Sequence, residues 1–167
     1  MESVLPVLQW LEGSALAVTI TESDWVFPAI ETVHVLALAL VIGTVCVVDL
    51  RLLGWASPKW PYRQLVRETL PWTWAAFGFS VITGSLMFIT QAVEYYQNTA
   101  FRIKMLLIML AGINMVVFEL ITAREAAKWD HGMPVPPAAK LAATLSLMFW
   151  VSIVFFGRRI GFTMIPE

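Results

Sequence analysis

The sequence is short of charge. Of 167 residues only 14% are Asp, Glu, Lys or Arg, against roughly 25% in an ordinary soluble domain. The 11 basic and 12 acidic residues nearly cancel, so nothing suggests nucleic-acid binding. Cysteine is almost absent. Cys46 stands alone, which excludes an intrachain disulfide and any CxxC redox or zinc module. Histidine is limited to His34 and His131, leaving few ways to assemble a metal site. What is abundant is apolar side chain, 59% of the chain, with a mean hydropathy of +0.74. A soluble fold of this size could not hide that much apolar surface, and disorder requires the opposite composition. The chain reads as a single integral membrane domain, residues 1–167.

The few charges are unevenly spread. Thr32 to Val48, Thr69 to Val93, Met105 to Phe118 and Leu141 to Gly157 contain no charged residue. Crossing the hydrocarbon needs about 20 mainly apolar residues. With their flanks these runs predict an all-α bundle of four transmembrane helices, near 28–53, 71–94, 102–123 and 138–160. Lys104 and Glu119 fall inside the third, close enough to its ends for long side chains to reach the interface. Ahead of the bundle, Val4 to Leu11 reads as a short interfacial helix, with Leu5, Leu8 and Leu11 at helical spacing and Trp10 at the boundary. Ala15-Leu16-Ala17 has the form of a signal cleavage site. Glu2, Glu12 and the missing basic n-region argue against a signal peptide. The MPVPP run at Met133–Pro137 predicts a rigid connector.

Basic residues set the expected orientation. Arg51, Lys59, Arg63, Arg67, Arg124, Lys128 and Lys140 lie on one side, against Arg102, Lys104, Arg158 and Arg159 on the other. The larger set is expected to be cytoplasmic, which places both termini outside a bacterial inner membrane. Trp55, Trp60, Trp72 and Trp74 then mark the inner interface, and Trp25, Tyr95 and Tyr96 the outer one.

Charged or titratable groups inside membrane helices are functional candidates. On the first span Glu31 and His34 share a face, and Asp49 lies fifteen residues beyond His34, roughly 22 Å along the axis. Leu38, Val41, Val45 and Val48 fill the stripe between. The third span repeats the pattern with Lys104 and Glu119, separated by Ile108, Ala111 and Met115. Because spans one and three run in the same direction, Lys104 is expected near the depth of Glu31 and His34. With Arg102, Arg158 and Arg159 these form an outer polar layer. Asp49, Arg51 and Glu119 form an inner one, expected to pair among themselves or with Arg124 and lock the helix ends. Asn114 is expected to bond across a helix interface.

The outer layer suggests a cofactor. A neutral imidazole about two turns inside a membrane helix suits an axial site on haem iron, and the surrounding cations suit haem propionates. His131 lies in the opposite loop, so the second ligand is a methionine, an open position or His34 of a second copy. The competing reading has His34 hydrogen-bonding a neighbour such as Glu31. Copper held by His34 with Met105 or Met109 is a further alternative on ligand softness. Glu31-x-x-His34 is half of a di-iron motif whose other half is missing. Ser80-xxx-Gly84 and Gly157-xxx-Gly161 are close-packing steps, within the bundle or between copies.

The segments ETVHVLALALVIGTVCVVDLRLLG, LPWTWAAFGFSVITGSLMF, FRIKMLLIMLAGINMVVFE and SLMFWVSIVFFGRR together resemble a family of small bacterial four-helix membrane proteins of unknown function. The likeness covers about residues 25–160 and is carried by His34, Asp49–Arg51, Lys104, Asn114 and Gly157–Arg158. It implies the architecture and no activity. A looser resemblance links the layout to the copper-resistance D proteins and the haem-binding four-helix protoporphyrinogen oxidases. These use membrane histidines for copper or haem, and their additional histidines are absent here. The expectation is a homo-oligomeric membrane protein that binds haem b at His34 and serves electron transfer to a redox partner or redox sensing. The alternatives are a cofactor-free assembly subunit, a copper protein, or a small-solute carrier.

Overall fold

A computed structural model describes residues 4–56, 60–126 and 134–164. Among them the regular structure is entirely helical. Two short helices, α1 (Leu5–Glu12) and α2 (Ala15–Glu22), precede α3 (Val26–Leu53) and α4 (Tyr62–Thr90). The six-residue α5 (Ala92–Gln97) leads into α6 (Thr99–Val117). A π-helical turn at Phe118–Thr122 and a 3-10 turn at Ala123–Glu125 follow, and α7 (Pro137–Thr163) completes the bundle. Four of these, Val26–Leu53, Tyr62–Thr90, Thr99–Thr122 and Pro137–Thr163, are long and apolar enough to cross a membrane. Glu2, Lys59, Lys128, His131 and Met133, all part of the sequence expectations, lie outside the described residues.

Each helix starts and stops for a local reason. α3 ends at Gly54, whose φ of 80° is left-handed, a conformation without steric penalty for glycine. There the Gly54 N–H donates to the Arg51 carbonyl, and the Trp55 and Ala56 N–H groups turn back to Leu50. Asn98 caps α6 by accepting from the Phe101 N–H at 3.2 Å, and its own amide donates to Thr163 Oγ1 at 2.8 Å. One side chain thus ties the start of α6 to the end of α7.

Two boundaries depart from the sequence expectation. The second span begins at Tyr62 rather than near 71, with Pro71 inside the helix. A proline there removes one backbone donor and crowds the carbonyl four residues earlier. The preceding turns persist because they are amphipathic: Tyr62 and Leu65 are buried, while Arg63, Gln64, Arg67 and Glu68 are exposed. The N-terminal segment is two helices rather than one. Leu8, Ala17 and Ile20 are 5%, 1% and 2% exposed, so both helices pack onto the protein, against α3, α4 and α5. Glu12, which interrupts the apolar pattern in the sequence, accepts from the Val93 N–H at 2.9 Å. It supplies the cap that α5 lacks locally.

The long helices pack in the order α4, α3, α7, α6. At one end Leu52, Tyr62, Phe118, Ala126, Ala139 and Ala143 form an apolar cluster, with Tyr62 edge-on to Phe118 at 6.2 Å. At the other end Phe88, Tyr95 and Phe101 meet at ring separations of 5.3–6.0 Å and draw α4 towards α6. Between them Val41 and Ile153 are almost wholly buried.

Candidate functional site

His34 sits two turns into α3 and half-buried, facing α4. Because the two helices are antiparallel, His34 lies ~12 Å from the start of α3 and Thr83 ~10 Å from the end of α4 at 1.5 Å per residue. They meet. His34 Nδ1 is 2.9 Å from Thr83 Oγ1, and the Ser80 backbone lies within hydrogen-bonding reach of the same imidazole. The Thr83 hydroxyl has one proton, and it is directed at the Phe79 carbonyl at 2.7 Å. With the proton there the oxygen accepts from Nδ1–H, the tautomer in which Nε2 keeps its lone pair.

Gly84 makes the approach possible. A Cβ added there would stand 3.6 Å from His34 Nδ1, an ordinary contact, and 3.1 Å from Cε1, so close that the ring would have to shift by a few tenths of an ångström. The Ser80-xxx-Gly84 step is thus where α4 admits the ring, with Ser80 itself buried. On the far side Lys104 enters from α6. Its Cδ, Cε and Nζ lie 3.8, 3.8 and 3.7 Å from where a Cβ would stand on Gly157. Its ammonium is within electrostatic reach of His34. Side chains from α3, α4 and α6, with the bare backbone of α7, converge at one depth.

The rest of the expected outer layer does not join them. Glu31 is exposed and acts electrostatically on Tyr95. Arg102, Arg158 and Arg159 are exposed, and Arg158 lies over the Phe162 ring at 5.2 Å. A helix facing shifts by ~100° per residue, so Arg102 is turned away from Lys104, and Arg158 and Arg159 from Gly157. The bundle partner of His34 is Thr83 and not Glu31. Met105 and Met109, considered as soft copper ligands, are 49% and 55% exposed. Among the described residues no three His, Cys, Asp or Glu side chains are grouped as a metal site would need.

The inner layer also differs from the expected ion-pair lock. Asp49 is buried, with the Ser146 hydroxyl of α7 within hydrogen-bonding reach. Arg51 turns away and donates from Nε to the Trp60 carbonyl at 2.8 Å. Glu119, in the π-helical turn, and Arg124 are exposed. Asn114 donates to the Ala142 carbonyl at 3.0 Å, joining α6 to α7. Thr83 is not among the candidates that charge and hydropathy mark in the sequence. The antiparallel depth match and its neighbouring small residues were the available signal.

Four apolar spanning helices around a half-buried imidazole and an intrabundle lysine define a multi-pass helical membrane protein. Within that class, the chain belongs to the family of unknown function DUF6644, which it matches over residues 7–163. This agrees with the expected uncharacterised four-helix family. The comparisons do not extend to the copper-resistance D proteins or the protoporphyrinogen oxidases, since no curated protein and no solved structure matches the chain.

Proposed function

We propose that this chain is a membrane haem protein that holds b-type haem through Nε2 of His34 and serves electron transfer or redox sensing. The observation that carries this reading is the His34–Thr83 hydrogen bond. Metal-ligating histidines donate their second ring nitrogen to a fixed partner, which sets the tautomer and aims the free lone pair. Thr83 does this from a neighbouring helix, inside a spanning segment where an unassigned polar group is costly. Bound haem supplies a one-electron couple whose potential depends on its axial ligand and surroundings.

The remaining residues have supporting roles. Lys104 is the cation nearest the imidazole and is suited to a propionate. Arg102, Arg158 and Arg159 lie towards the same end and would be the further cations available to a propionate. A second protein ligand, where one is used, would come from a methionine or from His34 of a second copy in a homo-oligomer. In a bacterial inner membrane with both termini outside, the site faces the outer half of the bilayer and a redox partner docking there. The copper reading is weaker, because Met105 and Met109 are largely exposed.

A cofactor-free assembly subunit is the second reading, favoured by one observation. Gly43, Gly78, Gly112 and Gly161 have nothing within 4 Å of an added Cβ, so the bundle presents smooth backbone to its surroundings, as helix–helix contacts in membranes require. Haem content separates the two. Purified protein is expected to carry haem that His34→Ala loses while the bundle stays folded. Protein that is haem-free after expression with added haem supports the assembly reading instead.

A further inference from the structure

The other end of the bundle holds a group that the haem reading does not use. Asp49 lies about one turn before the end of α3 and is 7% exposed. Its Oδ2 is buried with no hydrogen-bond partner. It is also the one buried carboxyl among the described residues.

Its surroundings offer little to a negative charge. From α7 the Ser146 hydroxyl reaches the carboxyl. On α3 itself the Cys46 thiol, one turn earlier, is close enough to feel Asp49, and Arg51 is committed to the Trp60 carbonyl. From α6 the Asn114 amide is taken by Ala142, and Glu119 points outward. On α4 the charged side chains at this end, Arg63, Arg67 and Glu68, are exposed, and among the described residues no basic group acts on Asp49. An ionised carboxylate with one hydroxyl donor, no cation and an apolar membrane around it is strongly disfavoured. A metal ion would relieve the charge, but hard cations need about six oxygen ligands, and among the described residues Ser146 is the one side chain that bonds the carboxyl. A proton needs one.

We propose that Asp49 is a proton-binding site, occupied at neutral pH, whose proton exchanges with water at this end of the bundle. Ser146 donates to the carbonyl oxygen of the acid, and loss of the proton requires the α3–α7 contact to open so that water reaches Oδ2. The site stands independently of the haem reading, since His34 and Asp49 are separated by the apolar stripe of Leu38, Val41, Val45 and Val48.

Infrared spectroscopy of the full-length protein in lipid tests this. Wild type at neutral pH is expected to show the carbonyl stretch of about one carboxylic acid per chain, bleaching as the pH is raised. The band is expected to vanish in Asp49→Asn and to change frequency in Ser146→Ala, which removes its hydrogen-bond donor. The wild-type spectrum stands alone if the Asn variant does not fold. A wild-type spectrum with only carboxylate bands at neutral pH overturns the proposal, as does an acid band that survives in folded Asp49→Asn.

Discussion

At the scale of single residues, small side chains decide what the titratable ones do. Thr83 bonds His34 Nδ1, and Gly84 and Gly157 are bare where imidazole and lysine pass. Replacing Thr83 with Val keeps the shape and removes the acceptor for Nδ1–H. Bonds of this kind between membrane helices are worth about 0.6 kcal/mol on average, and an unpaired buried donor adds about 1–3 kcal/mol. Thr83→Val is therefore expected to destabilise the bundle by about 2–4 kcal/mol, measured by unfolding in detergent, and to weaken haem retention without abolishing it. Gly84→Leu is expected to do more, because its side chain claims the space of the ring. Normal haem retention in Gly84→Leu would show that His34 is not held where α4 admits it.

Glu12 and Tyr95 give two further residue-scale tests. Glu12→Ala removes the acceptor for the Val93 N–H, and loss of a helix cap costs about 1 kcal/mol. The Tyr95 phenol on α5, outside the spans, is held above its ordinary value, first by burial and then by the carboxylates of Glu31 and Glu94. The sign follows directly. Below an unfolded value of ~10 both states keep the proton and the contribution is fully present. Above it the unfolded chain loses the proton first, so this stabilisation is lost as pH rises through the folded value. An ultraviolet titration should find phenolate forming later than in a model peptide, and Glu31→Gln should bring it earlier. An unchanged midpoint in Glu31→Gln would show that the two groups do not interact.

At the scale of helices, the four spanning elements were legible because long charge-free runs leave a chain few alternatives. Their ends were less so. Pro71 reads as a helix start, yet α4 begins nine residues earlier, because Tyr62 finds a buried seat beside Phe118 and Leu52, with Leu65 buried as well. Hydropathy counts residues and does not see that seat. The third span was expected to run as one helix to 123, but it changes to a π-helical turn at Phe118–Thr122, where Phe118 is buried in the Leu52–Tyr62 cluster. Phe118→Ala is expected to loosen this end by about 3 kcal/mol, the lower range for removing a buried phenylalanine. A loss near zero would mean the cluster does not hold the α3, α4 and α7 ends together.

At the scale of the molecule, the sequence indicated which depths are polar but not which side chains share a face. Periodicity placed His34 and Lys104 at one level, and they do converge. It placed Glu31, Arg102, Arg158 and Arg159 there as well, and these point outward. Facing depends on how four cylinders rotate against one another, and with apolar residues on every side of α3 and α6 no amphipathic stripe announces it. The inner layer was likewise expected to be an ion-pair lock. Packing instead buries Asp49 against Ser146 and sends Arg51 to a backbone carbonyl. α3 therefore carries a polar side chain near each end, His34 bonded to α4 and Asp49 to the last helix, with apolar side chains between them.

The most direct test of the central claim is a visible absorption spectrum of the purified full-length protein, first oxidised and then reduced with dithionite. A haem ligated by His34 predicts a Soret band that shifts on reduction, in wild type and not in His34→Ala. Protein expressed with added haem that shows no Soret band in either state, or a His34→Ala variant that keeps the wild-type spectrum, would contradict it.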